Sequence, residues 1–387
     1  MSGPRTEASP ARLVLVGVRG YGQVHATRIT QLAERGLVQL VATVDPGVTA
    51  DPPLAHGVPL HADLEQALAA VGPVDVVVIA APIGEHAALA ETALRSGADV
   101  LLEKPPVASL EDFGRLLATE RETGGVVQVG FQSLGSQALP MFARNAFGIG
   151  PVARVGAVGA WSRTLGYWSR SPWAGRRRLD GRPVVDGVVT NPLAHAVATG
   201  LALVGARTLD DVASVETDLY RANAIESDDT SVVRIRTSGG EEVTCALSLC
   251  APVEREPVLH VEGSHGRARY AYTADRVEVE GENGNRSQVL EREDLLENLL
   301  AHRRDGRPLL VPLASTGAFM RVLGAVAEAD EPTPIDSGAV RWEGEGEGRR
   351  PVVDDVEHWL ERAAATGQTF RELGVPWARP ERERVAG

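Results

Sequence analysis

The chain has 387 residues, enough for two domains at roughly 100–200 residues each. Its 52 acidic residues outnumber 39 basic ones, and the formal net charge of -13 argues against a surface for nucleic acid or anionic membrane. No run of about 20 apolar residues offers a membrane span, and the 39 cations are 38 arginines and a single lysine, Lys104.

Residues 1–11 are polar, carry two prolines and lack the apolar core of a signal peptide, so they read as a disordered leader to a cytoplasmic protein. From residue 12 the pattern alternates. Strands are expected at 13–16, 37–44, 74–81, 100–102 and 126–131, with helices at 23–35, 63–70, 85–96 and 109–123. Strands that are almost uninterrupted Val, Ile and Leu belong to a parallel sheet covered on both faces. The expectation for 12–131 is therefore a doubly wound, Rossmann-type dinucleotide-binding domain.

The loop after the first strand reads Gly17-Val18-Arg19-Gly20-Tyr21-Gly22-Gln23. Gly17 and Gly22 have the spacing for a tight turn and close helix packing, and Gly20 allows the backbone to approach a pyrophosphate at a helix N-terminus. Arg19 stands where the usual fingerprint has its middle glycine; it would lie beside the phosphates or against the adenine side. Asp45 closes the second strand 23 residues after Gly22. A carboxylate there accepts a ribose hydroxyl and repels a 2′-phosphate, which favours NAD while Arg19 leaves NADP open.

Beyond residue 131 the strands alternate in character, at 152–161, 231–237, 242–250, 258–262 and 267–273, with tight turns at 238–240 and 264–266. Residues 132–387 are expected to form a substrate-binding α/β domain. Its large, mostly antiparallel sheet would carry helices on one face and leave the other for a homo-oligomer. Helices are expected at 193–203 and 354–373, and the run Glu343-Gly344-Glu345-Gly346-Glu347-Gly348 as a flexible solvated loop. Cys245 and Cys250, five apart, fall on opposite faces of a strand and read as core residues. His25, His56, His61 and His86 have no metal-ligand spacing, and no metal is expected.

Glu103-Lys104-Pro105, closing a strand at the carboxyl edge of the sheet, resembles the Gfo/Idh/MocA oxidoreductases. The similarity extends to Gly17–His25, to Ala81 and Pro82 with His86, to Val129-Gly130-Phe131-Gln132, to Asn191-Pro192-Leu193-Ala194-His195 and to residues 261–266. The resemblance implies a dehydrogenase or ketoreductase acting on a secondary hydroxyl or keto group of a sugar, cyclitol, glycoside or nucleotide sugar. Lys104 would lie near nicotinamide and substrate, with Glu103, Ala81, Pro82, His86 and Gln132 on the cofactor side. His195 would transfer the proton, with Asn191 where the family often has Asp. The chemistry suits these residue types: a hydride leaves carbon as a proton leaves oxygen, and imidazole, with an intrinsic pKa of about 6.5, can take it. An ammonium can join such a relay; a guanidinium cannot. An NAD-using lyase or glycosidase, and a non-catalytic cofactor sensor, are the alternatives on the same fold.

The segment 161–182 is the most unusual in composition. It holds Trp161, Tyr167, Trp168 and Trp173 among Arg163, Arg170, Arg176, Arg177, Arg178 and Arg182. Aromatic faces stack on sugar rings and arginines grip carboxylate or phosphate. Arg163, Tyr167, Trp168 and Trp173 are thus expected to bind a carbohydrate-like substrate together with Lys104, Asn191 and His195.

Overall fold

The computed structural model describes residues 9–47, 57–280 and 286–378. Most of the expected leader, residues 1–8, and His56 lie outside the described residues. Ala11, placed in the leader by sequence, already belongs to the first strand. The chain divides into two compact units, one of residues 1–107, 111–130 and 295–313, the other of 108–110, 131–294 and 314–387.

The first unit runs β1 (Ala11–Val16), α1 (Tyr21–Glu34), β2 (Val38–Val44), β3 (Leu60–His61), α2 (Leu64–Val71), β4 (Val76–Ile79), α3 (His86–Arg95), β5 (Asp99–Leu102), α4 (Leu110–Thr123) and β6 (Val127–Val129). All strands pair in parallel in the order β3-β2-β1-β4-β5-β6. The direction of winding reverses between β1 and β4, which puts a crevice at their carboxyl ends. One helix starts at a side-chain cap: the Asp63 side chain accepts the Gln66 N–H at the head of α2.

Glu120 on α4 is pushed up to about 7 by burial, against the pull of a 2.7 Å bond from the Val127 N–H. A carboxyl raised in the folded state stabilises below its unfolded pKa, and that stability is lost as pH rises through about 7. Glu120→Gln, which keeps the acceptor oxygen, should therefore raise the melting temperature at alkaline pH and leave it unchanged in mild acid. A scanning calorimetry series across pH checks this.

The second unit begins with α5 (Ala138–Ala143), β7 (Val152–Ala160), α6 (Leu165–Trp168), the short pair β8 (Arg178–Leu179) and β9 (Arg182–Pro183), and α7 (Ala194–Leu203). There follow β10 (Val212–Arg221), β11 (Thr230–Thr237), β12 (Glu242–Ser248), β13 (Val258–Gly263), β14 (Arg267–Ala271), β15 (Arg276–Val279) and β16 (Arg286–Val289). The chain then returns to the first unit as α8 (Leu295–Asp305), a return that a single cut after residue 131 does not contain. There the Gln128 amide donates to Asn298 Oδ1 at 2.7 Å and to the Leu295 carbonyl at 2.9 Å, while Arg303 pairs with Asp75 and Asp99. The second unit resumes with α9 (Gly317–Glu328), β17 (Thr333–Pro334), β18 (Val340–Glu343), β19 (Arg350–Val353) and α10 (Val356–Thr366).

Among the described residues nine strands form one sheet, β16-β15-β14-β13-β7-β12-β11-β10-β17. It is antiparallel except at β7–β12 and β10–β17, so it is mixed at its centre. The expectation of helices on one face is corrected here. Leu193, just ahead of α7, lies where a Cβ on Gly159 would point, and Ala364 of α10 where one on Gly156 would. Residues three apart on a strand face opposite sides, so both faces of β7 are covered by this chain itself.

The second cover was hidden in the terminal segment. The expected helix at 354–373 stops at Thr366, where Gly367 takes a left-handed conformation, φ 73°. The chain then folds back, burying Phe370, Val375 and Trp377 against Tyr220 and α10. Trp377 meets Tyr220 and Phe370 edge-on at 5.6 and 4.9 Å. Trp377→Ala should cost about 3–5 kcal/mol of stability, measurable by urea denaturation of the full chain. The acidic glycine run is likewise more ordered than expected: it is the tip of the β18–β19 hairpin, with a 3-10 turn at Gly346–Gly348. Cys245 lies in β12 and Cys250 beyond its end; both are buried, and burial pushes the Cys245 thiol up to about 12.

Candidate functional site

The residues expected to hold the cofactor gather at the carboxyl ends of β1, β2 and β4. Gly17 has φ 81°, and a Cβ there would lie 2.5 Å from the Ala80 carbonyl oxygen. Gly22, the second residue of α1, packs so tightly on the loop that its Cβ would lie 2.0 Å from the Gly17 oxygen. Gly20 caps α1 with φ 55°, and its open side meets nothing within 4 Å among the described residues. The turn and the helix packing therefore fall to Gly17 and Gly22, and the open approach falls to Gly20. Tyr21 is half exposed and edge-on to His25 at 5.4 Å, and Gln23 is exposed on the first turn.

Asp45 is buried, and its carboxylate is already engaged. It accepts the Val18 N–H at 3.3 Å and the Gly47 N–H at 3.0 Å, and Arg19 pairs with it at 3.0 Å. Arg19 thus covers the acid that ends β2. A dinucleotide fits this arrangement: the loop leaves space only at Gly20, and the buried acid sits where a ribose hydroxyl would be read.

Beyond β5, Glu103 is buried and held from two sides. His25 Nε2 lies 2.8 Å from its Oε1, and the Lys104 backbone N–H donates to its Oε2 at 3.2 Å. Gly130 opposes it, since a Cβ there would lie 2.8 Å from Oε1. His86 fastens the turn that follows. Its Nδ1 lies 2.9 Å from the Pro105 carbonyl and its Nε2 lies 2.8 Å from that of Ala81. Burial nevertheless pulls its pKa below the usual 6.5. Ala81, next to the exposed Pro82, is thereby tied to the turn that carries Lys104, which is partly buried. His25 and His86 are therefore supports of the Glu-Lys-Pro segment.

The residues expected on the substrate side lie in the second unit. His195 is on the first turn of α7, its Nδ1 3.2 Å from Ser133 Oγ. Thr199, one helical turn further on, donates its hydroxyl to that same Ser133 at 2.9 Å. Phe131 packs edge-on to the imidazole at 5.7 Å. Gln132 opens the short turn Gln132–Gly135 that carries Ser133, so it belongs to this unit. Ser133 was missed because nothing local pairs it with a residue 62 positions on; Thr199, four residues after His195, carried an i,i+4 signal.

Asn191 does not share a helix with His195, since α7 begins only at Ala194 and residues 188–193 are turns. Its amide Nδ2 donates instead to Asp186 Oδ1 at 2.5 Å. Asp186 is 2% exposed and was not singled out by sequence. Gly187 follows it because a Cβ there would lie 1.8 Å from Asp228 Oδ1. Asp228 is itself buried, with burial pushing it up to about 6 while Ser231 donates to it.

The aromatic and basic loop is stacked on itself. The guanidinium of Arg163 lies over the rings of Trp161 and Tyr167 at 4.9 and 5.1 Å, and that of Arg170 over Tyr167 and Trp173 at 3.7 and 4.6 Å. The expected sugar-stacking faces thus carry arginines, and Trp168 is buried. Arg177 caps the end of α9, donating to the Val326, Ala327 and Ala329 carbonyls. Among the described residues no group of three His, Cys, Asp or Glu could hold a metal ion, and no helix is long and apolar enough to cross a membrane.

A glycine loop at the switch point of a doubly wound sheet, with an acid ending the second strand, is the arrangement of a dinucleotide-binding domain. The chain matches the oxidoreductase family with an NAD-binding Rossmann fold, Gfo/Idh/MocA, over residues 11–131. It is 27% identical over 259 residues to a protein of Amycolatopsis mediterranei (strain S699) described as a candidate oxidoreductase subunit of UDP-kanosamine synthase, covering 61% of this chain and 69% of that one. It is 36% identical over 121 residues, 30% of each chain, to the 1-carboxy-3-chloro-3,4-dihydroxycyclohexa-1,5-diene dehydrogenase of Comamonas testosteroni. Its fold is shared with the WlbA dehydrogenase of Bordetella pertussis, solved with NADH and UDP-GlcNAcA, at a TM-score of 0.67 and 22% identity, covering 84% of this chain and 100% of that one.

Proposed function

We propose that the protein is an NAD-dependent dehydrogenase moving a hydride between nicotinamide and a secondary hydroxyl or keto carbon of a nucleotide sugar or related carbohydrate. The observation that carries the reading is His195, held at Nδ1 by Ser133 at the head of α7, in a chain whose nucleotide-binding sheet ends β5 with Glu103-Lys104-Pro105. NAD supplies the hydride acceptor when bound. Glycines 17, 20 and 22 with Asp45 hold it, and Glu103 and His86 fix the backbone around Lys104. Lys104 and His195 form the proton relay, His195 taking the hydroxyl proton and Lys104 polarising the oxygen. Asn191, an amide, can orient but cannot carry a proton. The UDP sugars named for the Amycolatopsis and Bordetella proteins support a nucleotide sugar. The Comamonas likeness spans too little of either chain to define a substrate.

A panel of UDP-hexoses, UDP-hexuronic acids, cyclitols and free sugars, each with NAD, tests the reading. A rise in nicotinamide absorbance with one of the UDP sugars is expected. Turnover without reduced cofactor would indicate a lyase, and a silent panel would contradict the proposal.

A further inference from the structure

Asn191 stands where the resemblance often has a carboxylate, and the structure supplies a carboxylate nearby. Asp186 accepts from three donors: the Asn191 amide at 2.5 Å, the Gly175 N–H at 2.8 Å and Arg170 at 3.3 Å. It is buried on a segment held by many bonds. Val185 before it takes φ 51°, a left-handed conformation rare for a β-branched residue. The Asp186 N–H donates to the Arg176 carbonyl at 2.9 Å, and the Val185 carbonyl accepts from the Thr190 hydroxyl. Such backbone persists only where its surroundings over-determine it.

A carboxylate can only accept, so the Asn191 NH2 must face Asp186 and its carbonyl oxygen must lie on the opposite edge of the amide plane. An Asp at 191 would set two carboxylates in contact and force them to share a proton. We propose that Asp186 is a positioning residue for the substrate side: its carboxylate fixes the Asn191 amide with an acceptor edge directed away from it, and position 191 is an amide because Asp186 occupies the acidic place. Arg170, stacked on Tyr167 and Trp173, keys the conformation of the aromatic loop to the same carboxylate. This rests on the reading of Asn191 and His195 as substrate-side residues.

The test is a charge-exchange cycle on the full chain: Asp186→Asn, Asn191→Asp and the double variant, assayed with NAD and the most active sugar of the panel. Each single change should lower kcat about ten- to a hundredfold with the KM for NAD unchanged. The double variant, with acid and amide exchanged, should recover to within about two- to threefold of the parent. Single variants at the parental rate, or a double variant no better than the worse single, would overturn the proposal.

Melting temperatures separate this from failure of the functional reading, because they need no substrate. The charged and titratable groups around Asp186 are Arg170, Tyr167 and, behind Gly187, Asp228. In Asn191→Asp the shared proton raises the folded-state pKa of the pair, so stability relative to the parent is lost as pH rises from about 5 to about 8. Asp186→Asn in the same chain should abolish that slope. If no protein turns over any substrate, a slope that disappears in the double variant supports the pairing, and a flat Asn191→Asp profile refutes it.

Discussion

Lys104→Arg should fold, bind NAD as the parent does and lose roughly a hundred- to ten-thousandfold in kcat. The position is built for its backbone: the Lys104 N–H donates to Glu103, His25 holds the other carboxylate oxygen, and His86 ties the Pro105 carbonyl to that of Ala81. None of these contacts uses the ammonium, so an arginine keeps them and the positive charge. What changes is proton chemistry. Guanidinium does not give up a proton near neutral pH, and its planar fork directs hydrogen bonds differently from an ammonium. Steady-state kinetics together with fluorescence titration of NAD checks both halves. A variant with unchanged affinity and parental turnover would remove Lys104 from the relay.

Gly22→Ala should have the second largest effect, and on binding. In an ordinary helix the exchange stabilises. Here the new Cβ would lie 2.0 Å from the Gly17 carbonyl oxygen, and that atom is fixed because Gly17 itself abuts the Ala80 backbone. Neither side can retreat without opening the loop between β1 and α1. Overpacking of this kind costs about 1–3 kcal/mol, or roughly a five- to 150-fold loss of NAD affinity if the loop alone yields. Gly20→Ala, with open space but a left-handed φ of 55°, should weaken NAD less through crowding than through backbone strain. Calorimetric titration of the two variants distinguishes the causes.

The nucleotide-binding unit was legible because each of its signals is local. Uninterrupted runs such as Val76–Ile79 mark buried parallel strands, glycine spacing marks the loop, and Asp63 and Gly97 punctuate helices. The second unit hid what depends on distant partners. The return of α8 to the first unit rests on Gln128 meeting Asn298, 170 residues apart. The cover on the second face of the large sheet rests on Phe370 and Trp377 folding back after Gly367, where the sequence suggested one longer helix. His195 and Lys104 were singled out from residue type and from the resemblance of their motifs. Asp186 was not, because its significance lies in a hydrogen bond to Asn191 across a turn of unusual backbone that no periodicity announces. The arginines of 161–173 were read as ligand-gripping, yet alternating them with aromatics at short spacing also satisfies them internally.

The most direct test of the account is stoichiometry in the presence of the preferred UDP sugar: moles of reduced nicotinamide formed per mole of keto product, with the parent and with His195→Ala. The account predicts one for one in the parent and almost no turnover in the variant. Product formed without reduced nicotinamide, or parental turnover by His195→Ala, would contradict it.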